Sequence, residues 1–227
     1  MSQLINIFLE PAKVFAELRE KPTFLLPALL AIAATTAAAC LYFFQVDPEW
    51  FANYQFAAAG SEMTAAEIEQ AKKIMPGART LGIISAITTP IMFALVFTIT
   101  ALYYLLAGKV TGKPVTFHHG LALATWASVP TVLGAVVAIV GLYTSSSNQV
   151  SFESLQMLNV DPLFVQLPLD HDWAMLARSF SLLNIWVWFL AALGWKTWFR
   201  TGWGSALFVV LLPYLVIYGA MALFALI

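Results

Sequence analysis

From Leu81 to Ala107 the chain runs for 27 residues without a charged side chain. A helix needs only about 20 apolar residues to cross the hydrocarbon core of a bilayer, because unpaired backbone groups are too costly there for any open structure. This one run therefore sets the class of fold, since a soluble domain of this size has no place for such a helix. The rest of the composition agrees: 61% of the residues are hydrophobic and 10% charged, against roughly half and a quarter in a soluble domain. The chain reads as an all-α, polytopic integral membrane protein, and the lipid bilayer is its first partner.

Four further apolar runs give a bundle of five membrane-spanning helices, at about 24–45, 81–107, 120–143, 179–195 and 204–227. Residues 24–227 make a single membrane domain, and 1–23 a separate amphipathic segment before it. In that segment Leu4, Ile5, Phe8, Phe15 and Leu18 recur at helical spacing, with Asn6, Glu10, Lys13, Glu17 and Glu20 between them. Pro11 divides the stripe, as a first-turn proline does. Such a segment either lies along the membrane surface or packs under the bundle, and periodicity alone separates neither.

Within the first span, Ala31 to Ala39 is built of small residues, which let helix backbones approach closely and place the span in the bundle interior. The one cysteine, Cys40, excludes an internal disulfide. Ala37-Ala38-Ala39-Cys40 imitates the end of a cleaved signal, but the run starts at Phe24 and continues through Phe44, longer than the ~7–15 residues of a signal core.

Two long loops, 46–80 and 144–178, separate the spans on one side. In the first, Thr64 and Glu67 form a capping box, Met63 and Ile68 a hydrophobic staple, and Glu69 and Lys73 an i,i+4 pair, with Pro76-Gly77 ending the helix. In the second, Ser151 and Asp172 are candidate helix caps, and Leu163 to Val165 with Leu167 are apolar enough to dip back to the membrane. Thr116 is a candidate cap for the third span. The loop from Lys196 to Trp203 carries two cations and Trp198 and Trp203, the composition of a headgroup boundary.

Charge placement orients the bundle. Lys13, Arg19, Lys21, Lys109, Lys113, Lys196 and Arg200 fall on one side in short segments. Lys72, Lys73, Arg79 and Arg178 fall on the other, together with nine of the twelve acids. Basic short loops stay in the cytoplasm, so the N-terminus is inside, the C-terminus and both long loops outside, and the membrane is the bacterial cytoplasmic (inner) membrane. No dense basic patch exists, so nucleic acid is not an expected partner.

The order of features resembles that of a known family. A P-x-x-x-F segment, Pro11 to Phe15, precedes the first span, which opens with Pro27. A lysine-glycine turn leads into Phe117 to Pro130, which includes Trp126, and the fourth span carries Asn184-Ile185-Trp186 and Gly194. These are similar to bacterial members of the Yip-one domain family. The resemblance implies a five-span integral membrane protein. Eukaryotic relatives are associated with Rab-type GTPases and vesicle traffic, through motifs in a long polar N-terminal region that these 23 residues do not contain. A Rab-binding role is therefore not carried over.

Candidate chemistry is sparse. His118 and His119 stand together at the mouth of the third span, but neighbours on a helix diverge by about 100°, so they are read as interfacial polar residues rather than metal ligands. Asp170-His171-Asp172 brings two acids beside an imidazole. Asp172 is better explained as a cap, with Arg178 pairing one of the acids. No Asp, Glu, Lys, Arg or His lies within the spans, which disfavours ion-coupled transport, since such carriers place ionisable groups at membrane depth. Asn184 is the most polar side chain there and is read as interhelical glue. The prolines at 27, 90, 130 and 213 are either tolerated kinks, with Thr88 and Thr89 covering the carbonyl freed at Pro90, or breaks around a cavity. Asn184, Pro130, Trp126, His118 and His171 are the candidate functional or packing residues.

No nucleophile triad, zinc motif or phosphate loop is present, so the chain is not expected to be an enzyme or to hold a cofactor. The expectation is a membrane scaffold that interacts with other membrane proteins or with itself. The alternative is a lipid-handling or small-solute permeation protein built on a proline-kinked bundle.

Overall fold

The computed structural model describes residues 2–58, 65–168 and 170–226. Twelve α-helices and one π-turn are formed among them, and the one β feature is an isolated antiparallel bridge between Asn159 and Ser181. Among the described residues, four stretches are long and apolar enough to cross a membrane: Leu25–Gln45 (α3), Ala78–Val110 (α6), Phe117–Thr144 and Trp203–Phe224 (α12). The fourth run of the sequence forms Leu182–Phe199 (α11), a helix of 18 residues whose last turn holds Lys196. It falls outside those four.

Phe117–Thr144 is not one continuous helix. It consists of Phe117–Ala127 (α7) and Thr131–Thr144 (α8), separated at Ser128, Val129 and Pro130. Pro90 and Pro213, by contrast, lie inside unbroken helices. At Pro90 the expected threonine compensation is absent in one respect: the Thr88 hydroxyl donates to the Ile84 carbonyl at 3.0 Å, not to Ala86, whose carbonyl a proline at 90 leaves free. Half of the most apolar part of Phe117–Thr144 is buried, against 28% for Leu25–Gln45. The interior role that small residues suggested for the first span thus belongs more fully to the third.

By its contacts the chain divides into two compact units. The first comprises the chain up to Ala34, Pro90–Val132 and Leu183–Ala220. Its core gathers Val14, Phe15 and Leu18 of Pro11–Glu20 (α2), Leu123 and Trp126 of α7, Leu190 and Trp195 of α11, and Val209 and Val210 of α12. The N-terminal segment is therefore packed onto its own unit rather than laid out separately. In Ser2–Leu9 (α1) the fully buried residue is Ile7, while Ile5 faces outward. Glycine lets these helices close up: a Cβ at Gly120 would stand 2.6 Å from the Ala101 carbonyl oxygen, and one at Gly194 would stand 2.5 Å from Leu123.

Helix α6 stops abruptly, for a local reason. Gly112 has φ +66, its N–H donates to the Lys109 carbonyl at 3.3 Å, and the Lys113 N–H donates to Gly108 at 2.7 Å. This is a Schellman stop, which requires a residue tolerant of the left-handed region. The Lys109 to Thr116 turn is short because the helix before it ends this way.

The second unit comprises Thr35–Thr89, Leu133–Leu182 and the chain from Met221. Tyr42, Val46, Phe51, Ala78, Ala138, Leu142 and Leu155 form its core. The Tyr42 ring meets Phe51 at 6.3 Å and Phe152 at 5.2 Å, and its hydroxyl donates to the Val150 carbonyl at 3.1 Å. Pro48–Ala58 (α4) is capped by Asp47, whose Oδ1 accepts from the Trp50 N–H at 2.7 Å. Ala65–Ile74 (α5) ends before Pro76-Gly77. Its capping box, staple and i,i+4 pair involve Met63, Thr64 and the side chains of Glu67 and Lys73, which lie outside the described residues. Glu69 pairs with Lys72, at 3.0 Å.

Candidate functional site

In the first unit, the stretch from Phe15 to Thr23 is fastened at three backbone carbonyls, each by a ring nitrogen. Trp198 Nε1 of α11 donates to the Phe15 carbonyl at 2.6 Å. Trp126 Nε1 of α7 donates to the Thr23 carbonyl at 2.8 Å. His119 Nε2 lies 3.0 Å from the Arg19 carbonyl. A carbonyl only accepts, so Nε2 carries the proton, and Nδ1 is left to accept the Thr116 hydroxyl 2.6 Å away. Thr116 also caps α7, accepting the His119 N–H at 3.3 Å.

The two histidines part company as their adjacency on a helix requires. His119 lies edge-on to Trp198 at 5.4 Å, whereas His118 is exposed and stands 6.1 Å from the Phe24 ring. The interfacial reading fits His118 but not His119, which joins α7 to the N-terminal segment. A cleft of about 200 Å³ lies beside it, lined by Arg19, Glu20, Pro114, His119, Trp198 and Phe199. Trp198 corrects a second expectation. It is 1% exposed and belongs to the core, while Trp203 is the outward tryptophan, with Lys196 Nζ 5.3 Å from its ring centroid.

Pro130 is buried at the α7–α8 break. The hydroxyls around it are satisfied locally: Thr125 donates to Leu121 at 2.9 Å, Ser128 to Thr125 at 2.8 Å, and Thr131 to Ser128 at 2.7 Å. Each bond closes onto a backbone carbonyl within four residues, so the break is held by its own side chains. Asn184 donates from Nδ2 to the Tyr218 hydroxyl at 2.9 Å, joining α11 to α12. Tyr103 of α6 likewise donates to the Val209 carbonyl of α12.

The second unit holds the loop that contains His171. Here Asp161, 7% exposed, is the organising acid. Its Oδ2 pairs with Arg178 Nε at 3.3 Å, and its Oδ1 accepts the Leu167 N–H at 2.9 Å. Arg178 Nη2 reaches the Leu167 carbonyl at 3.2 Å. Arg178 therefore pairs neither Asp170 nor Asp172. Asp172 is no cap either, because Ala174–Ser179 (α10) begins after Trp173 without a side-chain cap, and His171 Nδ1 accepts the Trp173 N–H at 3.1 Å. Ser151 does cap Phe152–Leu155 (α9), accepting the Ser154 N–H at 3.2 Å. Among the described residues, no three His, Cys, Asp or Glu side chains converge as a metal site requires.

Burial raises the Tyr54 hydroxyl above its ordinary value, with smaller contributions that include the nearby Glu153 carboxylate. That hydroxyl donates to Glu153 Oε2 at 3.3 Å, tying α4 to α9.

A family model for the Yip1 domain matches residues 5–224. No curated protein matches the chain, and no solved structure does. The matched residues take in every buried residue of the two cores, and the chain belongs to the Yip1 domain family of multispanning membrane proteins.

Proposed function

We propose that the chain is a non-enzymatic scaffold of the bacterial inner membrane, with five spans, the N-terminus in the cytoplasm and the C-terminus outside, that binds other membrane proteins or its own copies. The observation that carries this reading is the fastening of Phe15, Arg19 and Thr23 to α7 and α11 by three ring nitrogens. These side chains hold a charged amphipathic segment as a fixed platform instead of facing a substrate. Its outer side carries Ile5 and Leu9, both exposed, and Glu10 paired with Lys13 at 3.4 Å. The absence of ionisable residues from the apolar runs 24–45, 81–107, 120–143, 179–195 and 204–227 supports a role without proton or ion coupling.

A fifth crossing is supported by length. Eighteen residues of α11 rise about 27 Å, close to the ~30 Å hydrocarbon thickness. Orientation is supported by the seven cations in the short segments of one side.

The reading is tested by crosslinking in the native membrane followed by gentle purification. Recovery of a defined partner or a self-associated form supports it; a monomer without partners overturns it. Permeation is the competing reading, motivated by the Ser128–Pro130 break. The hydroxyls there already donate to backbone carbonyls, and flux above that of empty vesicles in reconstituted liposomes would reinstate it.

A further inference from the structure

We propose that the loop between α8 and α11 holds a phospholipid acyl chain, in a groove of about 510 Å³ between the π-turn Asp161–Val165 and α10. Among the described residues the groove is lined by Val160, Val165, Leu167, Leu176, Ala177 and Phe180, with His171 beside them. The inference rests on the reading of α11 as a membrane span and goes beyond it.

Depth identifies the occupant. Only Phe180 and Ser181 separate α10 from α11, and two extended residues reach about 7 Å. The opposite wall is clamped to the same point: the Val160 N–H donates to Phe180 at 2.9 Å, the Leu182 N–H to Leu158 at 2.9 Å, and Asn159 Nδ2 to Arg178 at 2.6 Å. Both walls are thus pinned at the mouth of the helix that enters the bilayer, where acyl chains are the abundant apolar ligand. The π-turn wall agrees: its Phe164 is 71% exposed, and large apolar side chains left in water are unfavourable in proportion to their area. On the other side of α10 a second cleft of about 480 Å³ mixes Glu153, Asp170, Arg178 and Ser179 with Ala174 and Met175.

The Asp161–Arg178 pair gives the groove its shape. It fixes the π-turn against α10 through Leu167, whose N–H and carbonyl are both bound. The groove is therefore formed by the loop itself and needs no partner to complete it.

The test uses the full chain with Cys40→Ser, reconstituted in phosphatidylcholine vesicles whose acyl chains carry bromine at defined depths. A bimane on Val165→Cys is expected to be quenched most by bromines in the outer half of the chains. A bimane on Phe189→Cys, in α11, reports the span independently. Quenching at 189 without quenching at 165 overturns the groove proposal and leaves the span standing; no quenching at either overturns both. Occupancy is read by native mass spectrometry of retained phosphatidylcholine. Filling the groove with Ala177→Phe, or making it polar with the milder Leu176→Asn, lowers retention about tenfold, the factor that removing roughly two methylenes from apolar contact gives. Unchanged retention in both variants overturns the proposal, as does a crosslink from residue 165 to a second copy of the chain.

Discussion

Trp198 donates its indole N–H to the backbone carbonyl of Phe15 at 2.6 Å, across 183 positions of sequence. The same ring lies 6.4 Å from the Phe15 ring and 5.4 Å from His119, edge-on to both. One side chain therefore joins the N-terminal segment, α7 and α11. Trp198→Phe keeps the ring contacts and removes the donor, and is expected to destabilise the protein by about 1 kcal/mol, the net worth of one hydrogen bond. Trp198→Ala also leaves a cavity and is expected to cost about 3–5 kcal/mol. Thermal unfolding in detergent measures both. Protease sensitivity between residues 10 and 23 should rise in the same order, because that segment loses its local fastening.

Gly120 and Gly219 are both helical glycines with opposite surroundings. A Cβ at 120 would lie 2.6 Å from the Ala101 carbonyl oxygen and 2.9 Å from its Cα, whereas one at 219 would meet nothing within 4 Å. Backbone cannot rotate away as a side-chain tip can. Gly120→Ala is expected to destabilise by about 1–3 kcal/mol through overpacking, despite a helix-propensity gain of up to about 1 kcal/mol. Gly219→Ala shows that gain alone and is expected to be neutral or stabilising. The same unfolding measurement compares them.

Asp161 and Arg178 hold the loop between α9 and α11 through one ion pair and three bonds to backbone, at the Leu167 N–H and the Leu167 and Pro168 carbonyls. Removing the acid in Asp161→Ala leaves the Leu167 N–H and the Arg178 Nε unpaired, and about 1.5–3 kcal/mol of local stability goes with it. Arg178→Lys keeps the charge but not the fork that reaches Asp161 and the Leu167 carbonyl together. Limited proteolysis between residues 156 and 180 should be faster in both variants, with Arg178→Lys the milder.

How far such features were legible depends on their range. Thr116 and Ser151 were readable as caps because a cap and its N–H lie within three residues. Four of the apolar runs were readable as helices long enough to cross a membrane because length and composition alone decide that. Trp198 was not, since a tryptophan near a basic loop reads as a boundary residue, and only tertiary packing brings Phe15 beneath it. Asp161 was missed for a related reason. The Asp170–Asp172 cluster drew attention by adjacency, while the acid that pairs Arg178 lies 17 positions away. Pro130 was seen, but the same proline pattern stays helical at Pro90 and Pro213 and breaks only at 130. There three hydroxyls, at 125, 128 and 131, are placed to take up local carbonyls.

Tyr54 offers a pH readout outside the spans. Its hydroxyl is raised above 10.0, first by burial, so the folded state holds this proton more tightly than the unfolded state. Stability from this group is complete below pH 10 and is lost as pH rises from there through the folded value. Ionisation also removes the donor to Glu153 and sets two anions side by side. Difference titration of tyrosinate absorbance, wild type minus Tyr54→Phe, should show a group titrating above 10. The alkaline fall in stability should be shallower in Tyr54→Phe.

Chain parity makes the number of crossings measurable. If α11 spans the bilayer, the N-terminus and the end of α12 lie on opposite sides; if it does not, they lie on the same side. Its 18 residues rise about 27 Å and so match the ~30 Å core without needing tilt. Single cysteines placed in a Cys40→Ser background at Thr111 and Thr201, in the two basic turns, are expected to react with an impermeant maleimide only after the membrane is opened. Cysteines at Ser146 and at Leu226 are expected to react in intact cells. Labelling at 226 that matches Thr111, with Thr201 labelling like Ser146, would instead remove the fifth crossing. It would also bring Lys196 and Arg200 to the same side as the long acidic loops, against the charge asymmetry that orients every other segment.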